Sequence, residues 1–300
     1  MGLLIPTTLV KPVPPTVASV ESLDDMFLWY NKRKGDASVE GLSTITSNIA
    51  VAFSDFILRI CSNISVSVTG AFKDVKRSAL QSLMASNKHG MMRVMKADYS
   101  DIVSVSCSLY PFTKSPIIMA GYFNDTFAVI SMSKRMVSLI ENYNHLSAAI
   151  KIGDLTKASG IIAAINDMNI SNTLHIKDRL IEMVAIPEDT NRTSFGLIFD
   201  SVSEYSESIM TTLVSANELD AAVKIGHMLN TLYGAWESLK TSIAHVASSN
   251  IDLSSLSPIA GTVHATGELL ESYALLIKEY HHLEWWLATT SEALLEHLKK

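Results

Sequence analysis

Ala222, Ile225, Leu229, Leu232, Trp236, Leu239, Ile243 and Val246 recur at alternating spacings of three and four. On an α-helix that spacing puts all of these side chains on one face, a seam that a neighbouring helix must cover. A second stripe follows after a polar loop: Leu269, Tyr273, Leu276, Tyr280, Leu283, Leu287 and Leu294. Two long helices, each with one apolar stripe, predict an antiparallel hairpin. The cover for the first seam is then expected from residues 269–294. A hairpin is architecture and specifies no reaction, so the stripes point to a helical structural or interaction protein.

Composition supports this fold class. A chain of 300 residues that is 48% hydrophobic can build a large core, as one domain or two. Gly (13) and Pro (8) are both scarce, which favours long helices over strands and turns. The expectation is a mainly α fold: a multi-helix bundle with a long C-terminal antiparallel hairpin and at most a small β-sheet. A formal charge of -6 argues against direct nucleic-acid binding, which needs a basic surface. Only 18% of residues are charged, and the mean hydropathy is +0.23. Either part of the surface is covered by other chains, or the monomer has an unusually large core.

Cys61 and Cys107 are too few for a disulfide framework and sit among apolar neighbours, as buried thiols do. No stretch reaches the roughly 18 uncharged apolar residues of a membrane span. The nearest, residues 45–66, is interrupted by Asp55 and Arg59. The N-terminus lacks the basic start and small-residue cleavage site of a signal peptide. The sequons at Asn63, Asn124, Asn169 and Asn191 therefore read as incidental. These features imply an intracellular product, or one assembled inside a cell.

Along the chain, residues 1–20 read as an extended arm, because Pro6, Pro12, Pro14 and Pro15 block helix while Leu3, Leu4, Ile5, Leu9 and Val10 stay apolar. Ser22 and Asp25 open a helix whose face is Leu23, Met26, Phe27 and Tyr30. The basic run at residues 31–35 closes it as a charge cap. Residues 41–64 form a broadly apolar helix. Residues 72–97 form another, bent at Lys88, His89 and Gly90. Val103, Val105, Cys107 and Leu109 alternate with serines, the period of a half-buried strand; residues 194–199 are its expected partner, with the alternating Ile64, Val66 and Val68 as a competitor.

Helices are expected to resume near Phe127 and to stop at Gly153, with Asp154 capping a short helix through Ile165. Residues 174–184 suggest a further helix. The polar run 188–193 is the best internal boundary, separating a helical body over 21–187 from a hairpin region over 194–300. Ser201 with Glu204, and Ser215 with Glu218, are capping-box candidates, the second opening the heptad helix itself. Ser257-Pro258 opens the last helix.

Motifs for chemistry are sparse. The sequence holds no Gly-rich phosphate loop, nucleophile elbow or His-Glu-x-x-His. Glu279 and His282 have the Glu-x-x-His spacing of di-metal bundles, but such a site needs a second motif and further carboxylates. No metal, cofactor or small-molecule substrate is expected. His281, His282, Trp285 and Trp286 fit a protein contact better, since adjacent tryptophans cannot share one stripe and an edge tryptophan is a good anchor. The alternative is that both rings cover helices of the same chain.

Two tripeptides recur near the N-terminus, Ser19-Val20-Glu21 and Ser38-Val39-Glu40. They resemble the small-residue-x-Glu sites after which prohead proteases of giant tailed phages trim head proteins. The Pro-rich apolar leader and the serine-rich, motif-free helical body are likewise similar to virion and internal head proteins of those phages. The resemblance implies a non-enzymatic virion component with Glu21 or Glu40 as the processing position. It would assemble in the host cytoplasm and be held by other virion proteins or by itself. An intracellular helical adaptor binding a protein partner is the alternative. An enzyme with a dispersed active site is a third reading.

Overall fold

The computed structural model describes residues 79–127, 129–183, 192–247 and 254–300. The arm, the basic run, Cys61, Glu21, Glu40, the competing strand segment 64–68 and the helices expected over 22–30 and 41–64 lie outside the described residues. The described part is mainly α with one two-stranded antiparallel sheet. In chain order it runs α1 (Ala79–Ser86), α2 (Lys88–Lys96), α3 (Tyr99–Ile102), β1 (Ser106–Ser108), α4 (Pro116–Phe127), α5 (Val129–Lys151), α6 (Leu155–Met183), β2 (Arg192–Ser194), α7 (Val202–Ala247) and α8 (Ile259–His297).

Four long helices, α5 to α8, form the body. Tyr143 meets Trp236 at 5.8 Å between ring centroids, and Ser147 bonds Ser242 at 2.9 Å, so α5 and α7 run parallel, side by side. The sharp turn at Gly153 folds α6 back along α5. Gly153 holds φ 76°, a left-handed conformation that suits glycine at a helix C-terminus, and Asp154 then caps α6 through Lys157 N–H. Helix α8 returns antiparallel to α7: Tyr205 bonds Ser291 and Tyr280 donates to the Thr212 carbonyl. The expected hairpin is present. Its described stripe residues on α7, Leu229 to Val246, are buried, as are all those named on α8. The helix nearest the α7 stripe is nevertheless α5, not α8. The two α7–α8 bonds lie at Tyr205 and Thr212, upstream of the stripe. Helix α4 takes a place beside α7 as well.

Several boundaries differ from expectation. Helix α7 is continuous through Ser215, whose hydroxyl donates back to the Thr211 carbonyl instead of capping a new helix. Ser201 does cap α7: its Oγ accepts Glu204 N–H at 3.1 Å, while the Glu204 carboxylate accepts Asp200 N–H. Helix α6 does not stop at Ile165 but continues to Met183, absorbing the separate helix expected from residue 174. Helix begins again at Pro116, well before Phe127, with proline at the first position where its missing N–H costs nothing. The bend in the 72–97 segment falls at Asn87, and Gly90 sits inside α2. Gly90 packs closely there: a Cβ would lie 2.5 Å from the end of the Leu295 side chain, which would have to shift.

The sheet pairs Ser106 with Ser194, Cys107 with Thr193 and Ser108 with Arg192. It extends as single backbone bonds from Phe195 N–H to the Val105 carbonyl and Gly196 N–H to the Val103 carbonyl. The strand that pairs with β1 is thus residues 192–194, earlier than the expected 194–199, of which 195–197 turn as a 3-10 helix. The segments on either side of the 188–193 run share one buried core.

The core explains much of the low charge. Ser208, Thr212, Ser215, Thr262, Thr266, Ser272 and Ser291 are buried, and each donates its hydroxyl to the carbonyl four residues earlier. A helical hydroxyl can satisfy itself in this way, so these helices bury polar residues at little cost.

Candidate partner-contact face

Helix α8 is buried over most of its circumference. Among its accessible residues one line runs through His264, Glu268, Glu271, Leu275, Lys278, His282 and Trp285, flanked by the partly exposed Ala265 and Glu279. Spacings within the line alternate four and three, so it is a heptad-type stripe running along the helix. Leu275 is 51% exposed and Trp285 58% exposed.

The adjacent tryptophans take opposite roles. Trp286 is buried, donates Nε1–H to the Ser108 carbonyl at 2.9 Å, and stacks edge-on against Tyr110 at 4.7 Å. It also lies 5.9 Å from Phe199, part of an aromatic group with Phe195 and Tyr205. Trp286 therefore clamps the small sheet to α8, and Trp285 points away from the core.

The histidines separate in the same manner. His281 bonds through Nδ1 to Glu284 Oε2 at 3.1 Å, and the other carboxylate oxygen of Glu284 accepts Leu80 N–H at 3.3 Å. Glu284 is buried, so this node ties α1 to α8. His282, half exposed, bonds Glu279 at 3.1 Å on the open side. Glu279 and His282 are thus paired with each other, and no group of three potential ligands for a metal gathers among the described residues. The four residues singled out in the sequence do not converge: Trp285 and His282 lie on the open line, Trp286 and His281 on the core side. Glu21 and Glu40 lie outside the described residues.

Sequence reasoning missed the second helix at this face. On α6, Ile170, Leu174, Lys177 and Ile181 follow the same four-three spacing and are all exposed. Lys177 Nζ lies 3.5 Å from Glu268, which sets the α6 stripe alongside the α8 line. Glu268 also receives His264 at 3.5 Å. Glu271 stands next to this group with its carboxyl pushed above the usual range, first by burial and then by the neighbouring Glu268, against the pull of His264 and Lys177. The signal was present as spaced apolar residues, but a helix that continues past Ile165 was needed to see them as one stripe.

Elsewhere, an open groove lies between the C-terminal turns of α5 and α7, lined by Asn144, Ser147, Lys151, Ser238, Ser242 and His245. Cys107 is buried, and burial pushes its thiol up to about 11, so the protonated form dominates at neutral pH. No helix among the described residues is long and apolar enough to cross a membrane. The chain matches no protein-family model, no curated protein and no solved structure.

Proposed function

We propose that this chain is a non-enzymatic structural component of a phage virion, assembled in the host cytoplasm and held by protein contacts. In this reading a prohead protease trims it after Glu21 or Glu40. The observation that carries the reading is the pair of tripeptides Ser19-Val20-Glu21 and Ser38-Val39-Glu40 placed ahead of the helical body. A leader that carries Pro6, Pro12, Pro14 and Pro15 is poorly suited to regular structure, which suits a segment to be cut. The described residues lend support of another kind. Some of their buried polar side chains tie helix to helix, as Tyr205 to Ser291, Ser147 to Ser242 and Asn169 to Thr266. Such ties fix one arrangement, as a building part requires.

Mass spectrometry of purified particles tests this function. The chain is expected there with its N-terminus at Ser22 or Gly41. Its absence from particles, with an uncut form in the cytosol, would overturn the reading. An intracellular adaptor that binds a protein partner is the second reading, favoured by the exposure of Trp285 beside His282. Recovery of an uncut cytosolic complex that Trp285→Ala disrupts would select it.

A further inference from the structure

The open line on α8 has an order to its charges. The accessible acids Glu268 and Glu271 lie on one side of Leu275; on the other the exposed charge is Lys278, with Glu279 largely turned inward and bonded to His282. The line ends in His264 at one side and Trp285 at the other. Reversed about Leu275, the line returns to itself within about one residue, or about 1.5 Å along the helix: Glu268 falls opposite His282, Glu271 close to Lys278 and His264 close to Trp285. A surface that complements its own reverse is the requirement for an isologous two-fold interface.

We propose that a second copy of this chain docks antiparallel on this face, with the two-fold axis passing at Leu275. The axis lies across the helices, so α8 meets α8 and α6 meets α6. Leu275 and its copy form the centre, and Trp285 covers the far end of the partner line near His264. The α6 stripe supplies an apolar shoulder through Leu174 and Ile181, which are 56% and 78% exposed. Three observations support a second copy over an unrelated occupant. The charges are complementary under reversal, and each pairing then occurs twice. The four-three spacing on both α6 and α8 is that of helices that receive another helix, here along two parallel ridges at once. Glu268 is already paired with Lys177 and His264, whereas Glu271 beside it has no such bond among the described residues and would face Lys278 of a second copy.

This inference stands apart from the virion reading, because purified chain alone is enough to examine it. The experiment is sedimentation equilibrium on the full chain and three surface variants. The parent is expected to dimerise. Lys278→Glu places acid against Glu271 and should weaken the dimer about tenfold or more in Kd. Glu271→Lys should weaken it similarly. The double variant Glu271→Lys with Lys278→Glu restores opposite charges in swapped positions and should return Kd to within a few-fold of the parent value. Only a direct pairing across the two-fold gives that rescue.

A second measurement fixes the register. In a Cys61→Ser background, the Leu275→Cys thiol should form an intermolecular disulfide on mild oxidation, since it faces its own copy. Cys107 is buried and does not compete. A chain that stays monomeric overturns the proposal, whether the Leu275→Cys thiol labels fast, as on a bare face, or slowly, as under residues 1–78. A dimer that ignores Lys278→Glu and yields no Leu275→Cys disulfide also overturns it, by placing the interface elsewhere.

Discussion

Trp285 and Trp286 are neighbours in the chain with opposite surroundings, and their contrast shows how a helix converts sequence position into role. One step along the helix rotates a side chain by about 100 degrees, enough to carry it from solvent into the core. Trp286→Ala removes a fully buried ring, its bond to the Ser108 carbonyl and its contacts with Tyr110 and Phe199. The expected loss is about 3–5 kcal/mol by chemical denaturation. Trp285→Ala, read at concentrations low enough to keep the chain monomeric, should change stability by no more than about 0.5 kcal/mol. Equal effects would mean that the two rings are misassigned. Gly196 makes a related point about space. A Cβ there would sit 2.4 Å from Val103 Cγ2 and 3.1 Å from the Val103 carbonyl, so only glycine lets residues 195–196 approach the β1 segment.

Among the elements, α8 gathers the polar ties. Thr266 Oγ1 donates to the Thr262 carbonyl and can then accept from both Tyr143 of α5 and Asn169 of α6, each at 2.7 Å. Thr266→Val keeps the shape and leaves the Asn169 amide without its acceptor, whereas Tyr143 retains the Thr262 carbonyl at 3.2 Å. A cost of about 1–3 kcal/mol is expected, measured by denaturant titration. Glu271, on the open side, links the same helix to pH. Its carboxyl binds a proton more tightly folded than unfolded, so its contribution is fully present below the ordinary carboxyl range and is lost as pH rises through the higher folded value. Glu271→Gln should therefore melt at or above the parent temperature near neutral pH in dilute solution, and the gap should close in acid. A lower melting point for the variant at neutral pH would contradict that sign. How these elements read from the sequence follows from the same chemistry. The apolar stripes on α7 and α8 were legible because their period survives in any packing. The lengths of α6 and α7 were not, because Ser215 uses its hydroxyl inside the helix in the way a cap residue uses it at an end. Neighbour choice was hidden too: Leu232 and Trp236 declare a buried face, but nothing in their spacing says that α5 is the nearer cover. The candidate face was half legible, through Trp285 and His282. The α6 half depended on a helix boundary that local signals misplaced.

For the whole molecule, the polar run 188–193 looked in the sequence like a seam between two parts, yet β1 pairs with β2 across it and the core passes through both sides. A single cooperative unfolding transition is expected for the described region. Two variants test it: one keeping only Trp236 as fluorophore, the other only Trp286, with Trp29 and the remaining tryptophans changed to phenylalanine. Trp236 reports on α5 and α7, and Trp286 on α8 and the sheet. After correction for each variant's own stability from circular dichroism, fluorescence and ellipticity midpoints should coincide in both. Separate midpoints would show independently unfolding parts. Helix α8 also sets an order in time. It packs on α6 and α1, reaches α5 through Tyr143, and supplies buried side chains along most of its length. A ribosome makes it after every other described element. Until it emerges, the nascent chain holds α5, α6 and α7 around an open apolar slot, vulnerable to whatever can fill it. Folding of this protein is therefore completed after translation of α7, and a chaperone that shields that slot should raise its yield.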